Sequence, residues 1–133
     1  MRAMTLFVRA AGIYNASAVL VFLTPGALEF CGVKLPYSQF WVWLPALMGL
    51  FAGIVLILSS ANLRKFGSFP YYNGIVRLIF CIAALALDFS GTAGKFIGLL
   101  ALGDFPLALG CIFGLPYVLQ RSHWQMLCNQ QAE

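Results

Sequence analysis

Three charged side chains lie inside apolar stretches of this 133-residue chain, namely those of Arg9, Arg77 and Asp104. Charged groups at the depth of a bilayer core are costly, so they normally face the protein interior and pair there. If consecutive apolar helices are neighbours, Arg77 can extend to Asp104, and the spacing predicts an ion pair. Asn15 lies at a depth comparable to Asp104, and Asn73 lies one helical turn before Arg77 on the same face. We expect these five residues to form one polar cluster inside a membrane.

Two roles fit such a cluster. Hydrogen bonds between membrane helices, worth about 0.6–2 kcal/mol each, would fix which helix packs against which. Alternatively, the cluster would be a site for a proton, an ion or a substrate. A single acid with a fixed cationic partner makes a poor carrier, so the sequence favours the structural role. No nucleophile with an adjacent base, metal-ligand spacing or cofactor motif is visible, and we expect no catalytic site, metal or cofactor.

The composition indicates that the surroundings of these charges are a membrane. Hydrophobic residues make up 62% of the chain and charged residues only 9%, with a mean hydropathy of +0.89. Soluble domains carry about 25% charged residues. Four cysteines are too few for a secreted disulfide scaffold, and apolar residues are too abundant for a disordered chain. An integral membrane protein remains.

The length of the chain accommodates four membrane spans. A hydrocarbon core about 30 Å thick needs about 20 mostly apolar residues per helix. Four such runs are present, at about 5–23, 40–61, 71–87 and 96–119. Trp41 and Trp43 begin the second run, where indole rings favour the membrane interface. The predicted fold class is all-α, with residues 1–133 forming a single transmembrane domain, an integral membrane four-helix bundle.

Basic residues predict the orientation, because segments that stay in the cytoplasm are enriched in Lys and Arg. One side of the predicted bundle carries Arg2, Arg9, Arg64, Lys65 and Arg121, and the other carries Lys34 and Lys95. Both termini are therefore expected in the cytoplasm. The net charge of +4 is explained by this topology, and no basic patch interleaved with aromatics indicates a nucleic-acid partner.

A cleaved signal peptide is the competing interpretation of the N-terminus. Its basic start and apolar run fit, but cleavage after Ala16-Ser17-Ala18 would fall within the run and leave residues 19–23 behind. We expect the first helix to be retained.

The four cysteines are Cys31, Cys81, Cys111 and Cys128, and no two of them form a Cys-x-x-Cys pair. Neither a thioredoxin-like centre nor a zinc site is indicated. They are interpreted as free, small hydrophobic thiols.

Glycine spacing predicts close helix packing. Gly49-x-x-x-Gly53 and Gly110-x-x-x-Gly114 each place two small residues on one helix face, which permits close approach within the bundle or between protomers. Pro106 cannot donate a hydrogen bond to the carbonyl of Leu102, so a freed carbonyl would add polarity near Asp104.

The two halves of the chain share a faint repetition, which is compatible with a parallel duplication of a helical hairpin. Tyr14-Asn15 and Tyr72-Asn73 occur in the first and third runs, and the glycine pairs occur in the second and fourth. The arginine precedes the dipeptide in the first half and follows it in the second, which favours unrelated halves.

With these features in place, the chain resembles the DoxX-like group of small bacterial four-helix membrane proteins. The resemblance rests on five features: Arg9-Ala-Ala-Gly-Ile-Tyr14, the Pro25-Gly26 break, the glycine-bearing second helix ending in Arg64-Lys65, Arg77 in the third helix, and Gly103-Asp104 in the fourth. It implies a four-helix bundle in a bacterial inner membrane. It implies no particular reaction, because most members of the group have no assigned activity.

The sequence thus predicts a multi-pass inner-membrane protein that is a non-catalytic subunit or accessory protein. Short loops leave little soluble surface, so its partners are expected to be the lipid bilayer and either another membrane protein or further copies of itself. The alternative is a small proton- or ion-coupled transporter built around Asp104 and Arg77.

Overall fold

Four long helices form the computed structural model, which describes residues 1–130. They are α1 (Arg2–Leu23), α2 (Phe40–Ser60), α3 (Ser68–Ala86) and α4 (Lys95–Leu119). Each is long and apolar enough to cross a membrane. The described residues contain no strand, and the prediction of an all-α chain with four helices of membrane-spanning length is confirmed. Helices α1 and α3 begin a little before the predicted runs, because polar first turns can still be helical.

Short helical turns connect the long helices, and polar side chains cap several of them. Asn62 accepts a hydrogen bond from the Lys65 backbone N–H at 3.2 Å and begins the turn Leu63–Phe66. Asp88 accepts from the Gly91 N–H at 3.1 Å and begins the turn Phe89–Thr92. These caps satisfy backbone donors that a helix start leaves unpaired. A further turn, Ala27–Phe30, follows α1.

The long helices pair as two hairpins, α1 with α2 and α3 with α4. Glycines let each pair approach closely. A methyl group on Gly53 of α2 would lie 2.6 Å from the Gly12 carbonyl oxygen of α1, and one on Gly74 of α3 would lie 2.7 Å from the Cys111 Cβ of α4. Both distances are too short for non-bonded carbon contacts, so these positions require glycine.

One end of the bundle, here called the packed half, holds the N-terminus, the 61–67 connection and the C-terminal segment. Its buried side chains come from all four long helices, from the 61–67 connection and from the short helix α5 (His123–Leu127). They are Met4, Val8, Ala11, Leu56, Leu63, Tyr71, Cys111, Leu115 and Met126. Side-chain hydrogen bonds hold α5 against α3: Tyr71 Oη lies 2.8 Å from His123 Nδ1, and Tyr72 Oη donates to the Leu127 carbonyl at 2.5 Å.

The opposite end of the bundle holds the two remaining connections, 24–39 and 87–94. It is here called the open half because its helices leave a cavity. Lys34 joins them: its backbone N–H donates to the Ala93 carbonyl at 2.8 Å and its Nζ donates to the Gly91 carbonyl at 2.7 Å. The cavity in this half is lined by residues of the long helices.

Helix α4 stays helical through Pro106 and then widens into a π-helical turn at Gly110–Gly114. The proline removes one donor from the helical ladder, but α4 does not end there. The wider turn places glycines against α1, where a methyl group on Gly110 would overlap the ring of Phe7.

Candidate functional site: a buried polar cluster and its cavity

Arg77 lies at the middle of the bundle, and its side chain joins the two hairpins. Its Nε donates to Asn73 Oδ1 at 2.9 Å, which aligns the guanidinium from within α3. The guanidinium forms an ion pair with Asp104 of α4 and donates to Asn15 Oδ1 of α1. It also approaches the Ala11 carbonyl of α1 at 3.4 Å. One side chain thus uses acceptors from three helices.

The ion pair is shielded from the surroundings, since the side chains are 4% exposed for Arg77 and 16% for Asp104. It is the one ion pair in the part of the chain that the structure describes. The ring of Tyr14 lies 5.5 Å from the guanidinium carbon of Arg77, in the range of a cation–π contact. The two charges compensate each other, and the aromatic face adds to the stabilisation of the cation.

Four of the five residues expected in the cluster come together: Asn15, Asn73, Arg77 and Asp104, hereafter the polar cluster. Arg9 lies apart from them. It is exposed, and its Nε donates to Ser60 Oγ at the end of α2 at 3.4 Å. Arg9 and Asn15 are six positions apart, which corresponds to a rotation of about 240° around an α-helix and puts the two side chains on different faces. The expectation of a single five-residue cluster is corrected accordingly.

Both glycine pairs, Gly49/Gly53 and Gly110/Gly114, face α1 of the same chain. A methyl group on Gly49 would lie 3.1 Å from the Asn15 carbonyl oxygen, and one on Gly114 would lie 3.4 Å from a side-chain atom of α1. The sequence allowed these glycines to pack either within the bundle or between protomers. The contacts in the structure are within the bundle. Gly49 lies beside Asn15 of the polar cluster, whereas Gly110 and Gly114 face Phe7 and Met4 in the packed half.

A cavity of about 560 Å³ adjoins the polar cluster on the side of the open half. All four long helices line it. Its apolar wall includes Phe22, Met48, Phe80, Phe96 and Leu100. Phe96 and Asp104 are eight positions apart, a rise of about 12 Å along α4, so the wall extends about two turns beyond the cluster.

The polar end of this cavity has unused hydrogen-bonding capacity. Asn15 and Asn73 accept hydrogen bonds from Arg77 through Oδ1, which leaves their amide N–H groups without a partner among residues 1–130. Tyr14 also lines the cavity, and its hydroxyl makes no hydrogen bond within the described residues. The site therefore presents several donors to whatever occupies the cavity.

Several residues of this site were missed in the sequence. Gly12 and Gly74 let the helices close beneath the cluster, and Gly12-x-x-x-Ala16 was a visible small-residue signal. Phe96, Leu100 and Asp104 share one face of α4 because they are four residues apart. This spacing is visible in the sequence as well. However, an apolar helix face that lines a cavity has the same sequence pattern as an apolar face that contacts lipid.

Comparison of the chain with family models, curated proteins and solved structures found no match. The resemblance to the DoxX-like group stays a prediction. Function is therefore inferred from the geometry of the polar cluster and its cavity.

Proposed function

We propose that this chain is a non-catalytic, multi-pass accessory protein of a bacterial inner membrane that binds a small molecule in the cavity beside the polar cluster. One observation carries the proposal: a space of about 560 Å³ between all four long helices has apolar walls and a single polar end. Ligand sites are typically concave spaces of about 300–1,000 Å³, mostly apolar, with a few polar groups that fix the ligand's orientation.

The chemistry of the lining favours binding over catalysis. Arg77 donates to acceptors of the protein itself, and Asp104 is its ion-pair partner. The hydroxyl of Ser17, which also lines the cavity, donates to the Tyr14 carbonyl at 2.6 Å. A nucleophile needs an adjacent base that activates it, and neither Ser17 nor the paired carboxylate has that arrangement.

The proposed orientation places the packed half toward the cytoplasm and the open half toward the outer leaflet. The excess of Lys and Arg in the N-terminal segment, the 61–67 connection and the C-terminal segment supports it. Because the connections are short, contacts with a membrane partner or a second copy would be made mainly within the bilayer.

A proton- or ion-coupled transporter built around Asp104 and Arg77 is the second candidate, because the ion pair borders the cavity. A coupled carrier requires Asp104 to change its charge during the cycle, so Asp104→Asn would abolish transport in vesicles while folded protein remains. Transport that survives in Asp104→Asn, together with a loss of bundle stability, would exclude the carrier.

Cavity filling tests the proposed function. Ala52 lines the cavity, and Ala52→Phe would occupy it. The matched control is Ala10→Phe on the exposed face of α1. Wild type and both variants are extracted into nanodiscs with native lipid, and the small molecules that they retain are identified by native mass spectrometry.

We expect wild type and Ala10→Phe to retain a common small molecule in stoichiometric amount, and Ala52→Phe to lose it while its helical content is unchanged. Equal retention by all three proteins would contradict binding in the cavity, because filling the space would then have no effect on the bound molecule.

A further inference from the structure

We propose that the ligand of this cavity is a neutral, lipid-soluble molecule whose apolar body lies along the aromatic wall and whose head carries hydrogen-bond-accepting oxygen, and that it reaches the cavity from the bilayer. The inference rests on the proposed function and specifies the chemical class of the ligand. Four features of the cavity support it.

The first feature is the charge balance. Among the described residues that line the cavity, Arg77 and Asp104 are the charged ones, and they are paired with each other. A charged ligand would bring an uncompensated charge into a low-dielectric space, where such charges are disfavoured. A neutral molecule leaves the ion pair intact.

The second feature is the kind of polar group that is available. The amide N–H groups of Asn15 and Asn73 and the hydroxyl of Tyr14 have no partner among the described residues. Donors left unpaired in an apolar setting cost free energy. Carbonyl, ether or hydroxyl oxygen on the ligand would satisfy them, so the head is expected to be rich in acceptors.

The third feature is the shape of the apolar wall. Phe22, Phe80 and Phe96 lie in the open half, away from the polar end. Since the wall reaches about 12 Å from Asp104 along α4, the cavity suits an elongated body with its polar group at one end.

The fourth feature is the position of the cavity at the surface of the bundle. Met48 of α2 and Val76 of α3 both line the cavity, and they are 57% and 62% exposed. The cavity therefore borders the outside of the bundle between α2 and α3. A molecule dissolved in lipid would reach it there without crossing water.

Photoaffinity labelling of the full chain in phosphatidylcholine nanodiscs tests this class. The probe is dodecanol carrying a diazirine in its alkyl chain, and labelled residues are mapped by mass spectrometry. The competitors share the alkyl chain and differ in charge: dodecanol, dodecanoate at alkaline pH, and dodecyltrimethylammonium.

We expect saturable labelling of cavity-lining residues, with dodecanol competing at concentrations at least about tenfold lower than either charged amphiphile, because a charge inside the membrane is disfavoured. Tyr14→Phe removes one donor and keeps the ring beside Arg77. It should weaken competition by dodecanol about threefold to tenfold, the range for one hydrogen bond. The matched control Tyr117→Phe, at a largely exposed position, should leave competition unchanged.

The outcomes separate the ligand class from the proposed function. Equal or better competition by a charged amphiphile, with saturable labelling retained, would overturn the neutral class and leave binding in the cavity in place. Tyr14→Phe behaving like Tyr117→Phe would overturn the assignment of the head group. A lack of saturable labelling in the cavity, together with equal retention of native molecules by Ala52→Phe and wild type, would overturn the proposed function as well.

Discussion

The packed half and the open half use the same four helices and pack them differently. In the packed half, small residues bring the helices together and side chains such as Val8, Leu56 and Leu115 are almost fully buried. In the open half, Phe22 and Phe96 line a cavity instead of filling it. The apolar composition is common to both halves, so the contrast comes from how closely the helices approach one another.

Arg77 lies at the boundary between the halves. Its contact with the Ala11 carbonyl is on the side of the packed core, and its partners Asn15, Asn73 and Asp104 line the cavity. One side chain therefore lies where the packed region ends and the cavity begins. The difference between the halves can be tested by matched substitutions on either side of it.

The largest effect is expected from Asp104→Asn, which leaves the Arg77 guanidinium without its counter-charge. Removal of one partner of a buried ion pair typically costs about 3–5 kcal/mol, and we expect a loss of about 3 kcal/mol in the free energy of unfolding. Denaturation in mixed micelles measures it. Asp88→Asn is the control, because Asp88 is an exposed cap and Asn also caps helices. Equal stability of the two variants would contradict the central role of the pair.

Truncation of a leucine in each half should give the next largest difference. Leu115→Ala removes a fully buried side chain of the packed half, and the space it leaves is expected to cost about 2 kcal/mol. Leu100 borders the existing cavity, so Leu100→Ala should cost less than about 1 kcal/mol because fewer packed contacts are lost. Similar losses for both variants, measured in the same denaturation assay, would remove the distinction between the halves.

Added methyl groups test the same contrast from the opposite direction. A methyl group on Gly53 would lie 2.6 Å from a backbone atom of α1, whereas the nearest atom to one on Gly103 is Tyr14 Oη at 3.8 Å. We expect Gly53→Ala to lose about 1.5 kcal/mol through overpacking and Gly103→Ala to be neutral or stabilising, since Ala favours helix. Thermal unfolding in detergent compares them. Loss of stability in Gly103→Ala alone would reverse the assignment of the two regions.

The smallest effect is expected at Arg9, which lies outside the polar cluster. Arg9→Gln removes an exposed side chain with one long hydrogen bond to Ser60, so the loss should stay below about 0.5 kcal/mol. Arg77→Gln is the comparison and should lose several times more, because it leaves Asp104 buried without a partner. If the two arginine variants lose equal stability, Arg9 contributes as much to the stability of the bundle as Arg77, and the prediction is wrong.

Much of the architecture could be predicted from sequence. The runs ending near Leu23 and beginning at Phe40 matched the structure closely, because the thickness of a bilayer sets the length of an apolar helix. The pairing of Arg77 with Asp104 could be predicted from the free-energy cost of an unpaired charge in an apolar setting. Two charges on consecutive helices have few other partners there. Composition and spacing were sufficient for those inferences.

Other features depended on how the helices rotate and how closely they approach. Arg9 and Asn15 share a helix and differ in the neighbour they meet, and Gly49/Gly53 and Gly110/Gly114 have the same spacing yet meet different turns of α1. The sequence by itself determined which side chains share a face and that the helices are apolar. Only the tertiary structure decided that one half packs closely and the other leaves a cavity, because a cavity arises from the distance between helix faces, and that distance depends on all four helices together.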